Sequence, residues 1–173
     1  MRALRHALAI CLLPGTVVVV VPVLIVRATG SASVGWGLPG FLVALPVVVG
    51  VALLAVGGGL VVWTIVLFVR VGRGTLAPWD PTTTLVVQGP YRHVRNPMIS
   101  GVLFLLLGEA VVLGSWPLVA WFAAVAAVNA VYLPLVEEPG LVSRYGADYE
   151  RYREAVPRWV PRLRAWNAAQ PPP

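Results

Sequence analysis

The stretch GPYRHVRNPMISG, residues 89–101, decides the fold because the chain turns from polar to strongly apolar within it. From Met98 to Val136 the only formally charged residue is Glu109. The turn residues GSWP at 114–117 divide this apolar run, which predicts two antiparallel helices joined by a short connection. The polar segments before and after the pair should therefore meet at the same end of it.

The composition places this helical pair in a membrane. Of the 173 residues, 58% are hydrophobic and 12% are charged, and the mean hydropathy is +0.82. Soluble domains carry about 25% charged residues, so we predict an integral membrane protein in contact with the lipid bilayer. The formal charge is +6, but the arginines flank the apolar runs and form no basic-aromatic patch, which disfavours binding of nucleic acid.

The apolar runs predict an all-α bundle of about four transmembrane helices, since each crossing needs about 20 apolar residues. The spans are expected at 7–26, 41–69, 97–113 and 116–136. Within a single membrane domain, 1–173, the prediction assigns two spans to 1–70, a cytoplasmic loop to 71–97, the helical hairpin to 98–136 and a cytoplasmic C-terminal segment to 137–173. Glycines at 50 and 57–59 offer small surfaces for close helix packing.

The arginines predict the orientation. With both termini in the cytoplasm, Arg27 is the only arginine on the outer side, as the positive-inside rule requires. We expect the plasma membrane of a bacterium. The long loop contains a β-like run at 83–87 and is typical of a segment that covers a ligand. Tyr145, Tyr149 and Tyr152 are spaced to share one face of an interfacial C-terminal helix, which would serve as an anchor or in binding.

The pair Asn96-Pro97 predicts a helix start, with Asn96 as the N-cap and Pro97 as the first helical residue. This interpretation holds whether or not the residues bind anything. Such an end carries positive partial charge, and Arg95 stands beside it. A carboxylate or a phosphate is therefore expected to bind there.

Glu137 and Glu138 are expected to close the fourth span. Acidic residues at a helix C-terminus oppose the macrodipole, so a cation should compensate them. The candidates are Arg95, Arg92 or a positively charged ligand. A ligand with one carboxylate and cationic centres suits a helix start that faces glutamates, and S-adenosylmethionine has this charge pattern, as do other zwitterions.

Glu109 lies in mid-span, where an ionised side chain costs about 2.5–3.5 kcal/mol or more. Two interpretations stay open: it lines a substrate cavity with Asn129 and Tyr132, or it bridges two helices. His6 and His93 are far apart and lack further ligands, so we predict no metal site.

Together these residues resemble the isoprenylcysteine carboxyl methyltransferase and phospholipid methyltransferase family of integral membrane enzymes. The resemblance runs from about Thr83 to Pro161 and rests on GPYRHVRNP, the apolar hairpin, the EE pair, YGADYERY and VPRWVPR. It implies that S-adenosylmethionine is held at the cytoplasmic mouth, under the loop and the C-terminal segment. It also implies a lipophilic acceptor that enters from the bilayer.

The resemblance assigns cofactor contacts residue by residue. The segment that wraps the nucleoside corresponds to Thr83, Thr84, Leu85, Val86 and Tyr91. The motif usually written R-H-P-x-Y is matched by Asn96, Pro97, Met98 and Ile99. The acidic pair at the cofactor's amino group corresponds to Glu137 and Glu138.

Three positions depart from the family pattern. Asn96 and Ile99 replace the His and the Tyr of the motif, although Asn96 can still cap a helix and form hydrogen bonds. Leu133 stands where the prenylcysteine enzymes have an arginine for the substrate carboxylate. The prenylcysteine assignment is therefore weaker than the assignment to the wider family.

The predicted function is methyl transfer from S-adenosylmethionine to a lipophilic or small acceptor, with Arg95, Glu109 and Glu138 as candidate catalytic residues. A carboxylate or thiolate acceptor needs no general base, whereas an amine or hydroxyl would need Glu109 or Glu138 in that role. Two alternatives are a membrane-embedded reductase that uses NADPH and a non-catalytic membrane scaffold.

Overall fold

A computed structural model describes residues 11–71 and 85–167 of the chain. A π-helical segment, Cys11–Val20, leads into helix α1, Val21–Thr29. The helices that follow are α2, Ala44–Val71; α3, Pro97–Leu113; and α4, Trp116–Tyr132. A π-helical turn, Leu133–Glu137, then joins α4 to α5, Glu138–Tyr145, which is followed by α6, Ala147–Ala155. Short 3-10 turns occupy Val34–Gly37, Gly40–Val43 and Gly89–Arg92.

The all-α membrane bundle is confirmed. Three apolar helical stretches are long enough to cross a bilayer, namely Pro14–Gly37, Gly40–Val71 and Trp116–Tyr145. The fourth, Pro97–Leu113, has 17 residues and measures about 26 Å at about 1.5 Å per residue, near the lower limit for a crossing. The β-like run is wrong for residues 85–87, which form no strand, and its first two residues, Thr83 and Thr84, lie outside the described ranges.

Helices α2 and α3 pack through facing glycines at two levels. A Cβ atom on Gly50 would lie 2.9 Å from the carbonyl oxygen of Gly108, and one on Gly57 would lie 2.7 Å from that of Gly101. On both helices the two glycines are seven residues apart, so the close approach recurs after two turns. The hydrophobic effect does not drive helices together in lipid. Small residues let the two backbones approach closely, and van der Waals packing then stabilises the pair. The packing role predicted for Gly50 and Gly57 is confirmed.

The first helix is tied to α4 by an indole. Pro22 has no N–H group, so the carbonyl of Val17, five residues earlier in the π-helical register, lacks its donor within the helix. The Nε1 atom of Trp121 on α4 donates to this oxygen at 3.1 Å. In lipid a freed carbonyl needs such a partner, so the bond fixes α4 against the first span.

The helix that contains the fourth predicted span does not end at Val136. The helix continues through the π-helical turn to Tyr145. Pro139 has no N–H group to donate to the carbonyl four residues earlier, and its ring would clash with that carbonyl in an α-helix. The wider π-helical turn contains one extra residue, so the helix can continue. Glu137 and Glu138 therefore lie within a continuous helix and not at its C-terminus.

The three tyrosines do not lie on one helix as predicted, although Tyr145 packs against the same core as the other two. Gly146 interrupts the helix with φ +56°, so Tyr145 belongs to α5 and the other two to α6. Tyr149 and Tyr152 are 2% and 3% exposed and pack around Val156. Because these two rings fill a small core, their faces are not available to a membrane surface.

Candidate functional site

Three charged side chains from distant parts of the chain meet where the helices end. Arg158 donates from Nε to Glu138 Oε1 at 2.7 Å and from Nη2 to Oε2 at 3.0 Å. Arg95 places Nη1 3.0 Å from the same Oε1. Glu138 is only 6% exposed. We call these three residues the arginine–glutamate cluster.

Each member of the cluster comes from a different element. Arg95 ends the turn before α3, Glu138 begins α5 just after the π-helical turn, and Arg158 lies in residues 157–167, which we call the C-terminal strap. The strap pairs with the turn through backbone hydrogen bonds, from Arg95 N to Pro157 O at 2.9 Å and from Arg162 N to His93 O at 3.0 Å. The strap thus brings Arg158 to the acidic pair.

The cluster compensates a buried carboxylate with two cations. The hydrogen bond with Glu138 raises the pKa of Arg158 above its ordinary value, so the pair stays charged. Arg95 makes an ion pair through Nη1, but its buried Nε atom has no hydrogen-bond acceptor among the described residues. Arg95 therefore keeps donor capacity for a further anionic group.

Glu137 stands next to the cluster without joining it. The side chain is half-buried and makes no hydrogen bond or ion pair within residues 11–71 and 85–167. Burial raises the pKa of the Tyr91 phenol well above its usual range, and the nearby Tyr152 and Glu137 add to the shift. Tyr152 donates its hydroxyl to the carbonyl of Tyr91 at 2.7 Å. Glu137 is thus a carboxylate near a buried aromatic wall.

The structure brings part of the predicted site together. Arg95 and Glu138 are in contact, as the fold-back of the hairpin predicts. Asn96 and Pro97 begin α3 as predicted, yet the Asn96 side chain makes no capping hydrogen bond. The compensating cations are Arg95 and Arg158, whereas Arg92 donates to the carbonyl of Trp166 at 2.6 Å.

The remaining predicted contacts lie around this centre. Met98 and Ile99 occupy the first turn of α3 and are half-buried. Leu85 packs against the tyrosine core, and Val86 is 5% exposed. The cofactor roles assigned to these residues stay predictions. Thr83 and Thr84 lie outside the described part of the chain.

Glu109 lies far from the cluster. It is twelve residues beyond Pro97 on α3, which is about 18 Å along the axis. Asn129 lies on the antiparallel α4, fifteen residues after Gly114, whereas Glu109 lies five before it, so their depths differ by about 15 Å. The two side chains therefore lie at different depths, and the cavity predicted for Glu109, Asn129 and Tyr132 stays a prediction. Glu109 Oε2 is buried and has no hydrogen-bond partner in the described residues.

A groove of about 500 Å³ opens on the other side of the turn that carries Arg95. Its walls are mostly apolar and come from α2, α3, the turn and the strap. They include Leu60, Trp63, Pro97, Phe104, Trp159 and Pro161. Neither Asn96 nor Glu137 lines it. The groove thus lies beside the ion pairs at Glu138, and the pocket between Asn96 and Glu137 stays a prediction.

A second recess of about 510 Å³ adjoins this groove. Both are lined by Gly89 and Arg92, and the recess adds Gln88 and Trp166. The groove lies beside α2 and α3, and the neighbouring recess beside the strap is more polar. A ligand with an apolar part and a polar end matches this order of surfaces.

The comparisons with known proteins agree with these observations. The family model for phospholipid methyltransferase matches residues 45–148. The chain belongs to the phospholipid methyltransferase family. Protein-S-isoprenylcysteine O-methyltransferase of Schizosaccharomyces pombe is 35% identical over 77 residues, which are 44% of this chain and 33% of that protein. The chain thus covers about a third of the length of this curated relative. No solved structure matches the chain.

The phospholipid methyltransferase match includes α2, α3, α4 and the acidic pair, but it stops before the strap. Arg158, which makes the shortest contact to Glu138, therefore lies beyond it. Sequence reasoning did not select this residue, because it stands among several arginines of the C-terminal segment. The repeated VPR of VPRWVPR was the available signal, since it marks a regular extended segment between two prolines.

Proposed function

We propose that the protein transfers a methyl group from S-adenosylmethionine to a lipophilic or small acceptor at the cytoplasmic membrane face. Membership of the phospholipid methyltransferase family supports the reaction class. The proposal rests on two surfaces that lie next to the same turn, residues 89–96. One is the arginine–glutamate cluster with the neighbouring carboxylate of Glu137, and the other is the apolar groove. Methyl transfer to an apolar acceptor needs both kinds of surface.

The residues present fit the amino-acid end of the cofactor. The buried Nε atom of Arg95, which has no hydrogen-bond acceptor among the described residues, would hold its carboxylate. The carboxylate of Glu137, which has no ionic partner among the described residues, would hold its ammonium group. Tyr91 and Val86 would supply the apolar wall beside the nucleoside. The two glutamates thus divide their roles, since Glu138 is already neutralised by arginines.

When bound, S-adenosylmethionine supplies an electrophilic methyl group on a sulfonium. The chain orients the two reactants and excludes water, and orientation of this kind lowers barriers by several kcal/mol, about 7–11 at best. Both carboxylate oxygens of Glu138 are occupied by Arg158, and Glu109 lies about 18 Å away along α3. Neither is placed to act as a general base at the cluster. A carboxylate or thiolate acceptor, which needs no base, suits this site best.

The cofactor site is tested by Glu137→Gln, which keeps the shape of the side chain and removes its charge. We expect titration calorimetry of the detergent-purified protein to show at least tenfold weaker binding of S-adenosylhomocysteine, since a charged hydrogen bond contributes about 1.5–3 kcal/mol. The matched control is Glu150→Gln, an exposed glutamate on α6. Unchanged affinity in Glu137→Gln would exclude this residue from the site.

The reaction is tested by incubation of the wild-type protein with S-adenosylmethionine that carries a radiolabelled methyl group and an extract of lipids and small thiols. Label in a lipophilic carboxylate or thioether product is the expected result. A parallel titration with NADPH separates the reductase alternative, because a reductase would bind NADPH and leave the methyl donor unused.

A further inference from the structure

The outer side of the C-terminal strap carries two apolar side chains that the described residues, 11–71 and 85–167, do not cover. Val160 is 75% exposed and Leu163 is 99% exposed. In residues 85–96 and 146–167 every other large apolar side chain is buried or half-buried, whereas the exposed Leu135 and Val136 lie on the long apolar helix 116–145. Exposed apolar groups concentrated on one segment mark a contact surface.

The position of the strap indicates what it faces. Its inner side lines the apolar groove through Trp159 and Pro161, opposite Phe104 of α3. Phe104 lies seven residues into the apolar helix, about 10 Å along its axis. The groove therefore connects the strap to a level at which α2 exposes Val56, next to Gly57, whose added Cβ would lie 3.0 Å from the Cβ of Phe104. A strap at the mouth of this groove would meet the boundary between headgroups and acyl chains with its outer side.

The charges of the strap specify the kind of surface. Residues 157–167 contain three arginines and no acidic residue. Arg158 binds Glu138, and Arg162 donates from Nη1 to the carbonyl of Ala155 at 2.8 Å. Arg164, next to Leu163, is exposed. An apolar residue beside an outward arginine is the usual arrangement for a segment that lies in an anionic interface.

We propose that the C-terminal strap docks on the anionic leaflet of the bilayer that the protein spans. Val160 and Leu163 insert at the acyl boundary, and Arg164 binds a phospholipid phosphate. The docking does not depend on methyl transfer, because it rests on exposure, position and charge alone. The membrane contact that the tyrosines of α6 cannot make is thus made by the strap.

The apolar part is tested with a single cysteine that carries a polarity-sensitive fluorophore. Leu163→Cys is compared with Ala147→Cys, an exposed position at the start of α6, both in a Cys11→Ser background. The full-length protein is reconstituted in vesicles of phosphatidylcholine and phosphatidylglycerol. We expect blue-shifted emission at 163, and quenching by lipids brominated near the acyl carbonyl that is several-fold stronger than at 147. Water-like emission at both positions would overturn the proposal.

The headgroup contact is tested by Arg164→Gln in the labelled Leu163→Cys protein, with Arg153→Gln on α6 as the matched control. One arginine near an anionic surface contributes about 1 kcal/mol, so the docking equilibrium should weaken roughly fivefold. Equal quenching with and without phosphatidylglycerol would overturn the anionic preference. If the fluorophore is shielded from water, is not quenched by brominated lipid and becomes more shielded as the protein-to-lipid ratio rises, a second copy of the protein covers the strap. That result would also overturn the proposal.

Discussion

The α2–α3 interface and the arginine–glutamate cluster both join segments far apart in the chain, but by opposite means. The interface uses glycines that let two backbones touch, with no charge involved. The cluster uses one buried carboxylate and two arginines. Within lipid, association depends on shape because apolar helices gain little by leaving an apolar solvent. At the end of the bundle that holds the cluster, charged side chains can determine which segments associate, because a buried charged side chain needs an oppositely charged partner.

The largest effect is expected at the glycine interface. In Gly57→Leu the new Cβ atom would lie 2.7 Å from the backbone oxygen of Gly101, so no side-chain rotation relieves the clash and the helices must separate. We expect a loss of more than about 4 kcal/mol of stability, or no folded protein. Thermal unfolding in detergent measures it. The control is Gly59→Leu on the same helix, where an added Cβ meets nothing within 4 Å. Equal stability of the two variants would refute the backbone contact.

Removal of the shared carboxylate should have the next largest effect. Glu138→Gln leaves Arg95 and Arg158 close together without their counter-ion, and breaking a buried ion pair costs about 3–5 kcal/mol. The exposure of Arg158 reduces the expected loss to about 3 kcal/mol. The same unfolding assay reports it, with Glu150→Gln as the neutral surface change. If Glu138→Gln is as stable as the control, the cluster does not hold the three segments together.

Loss of the strap arginine should have the smallest effect of the three. The Arg158 side chain is 29% exposed, so Arg158→Met should cost about 1–2 kcal/mol after solvent screening is taken into account. The expected signature is local: faster hydrogen exchange at the amides of Arg162 and Trp166, which bond the strap to the turn. Arg153→Met on α6 is the matched control. Protection that persists in Arg158→Met would show that backbone bonds alone retain the strap.

The sequence predicted features that depend on local composition and period. The Pro97 helix start, the turn at Gly114 and the four apolar stretches follow from hydropathy, proline and glycine, and the structure confirms them. The contact between Arg95 and Glu138 was also predictable, because a hairpin that crosses a membrane returns its two ends to one side. The end of the fourth helix was not, since a π-helical turn carries the helix past Pro139.

The partner of Glu138 shows why other contacts of the site could not be predicted from the sequence. Arg95 and Arg92 were the candidate cations near the helix start, yet Arg158, twenty residues after the glutamate, makes the two hydrogen bonds. Its position depends on the path of the strap, which is set by backbone bonds to residues 92–95. Arginines of the C-terminal segment look alike in sequence, and only the path of the chain distinguishes them.

The amino-acid order alone determined that this chain enters a bilayer, where it turns and which family it resembles. Apolar residues favour lipid and charged residues favour water, and this preference does not depend on contacts between distant residues. The folded chain decided which arginines neutralise Glu138, that Glu137 has no ionic partner among the described residues, and on which side of the turn the groove opens. Those outcomes depend on contacts among three or four separate segments, and such contacts exist only when all of them are in place.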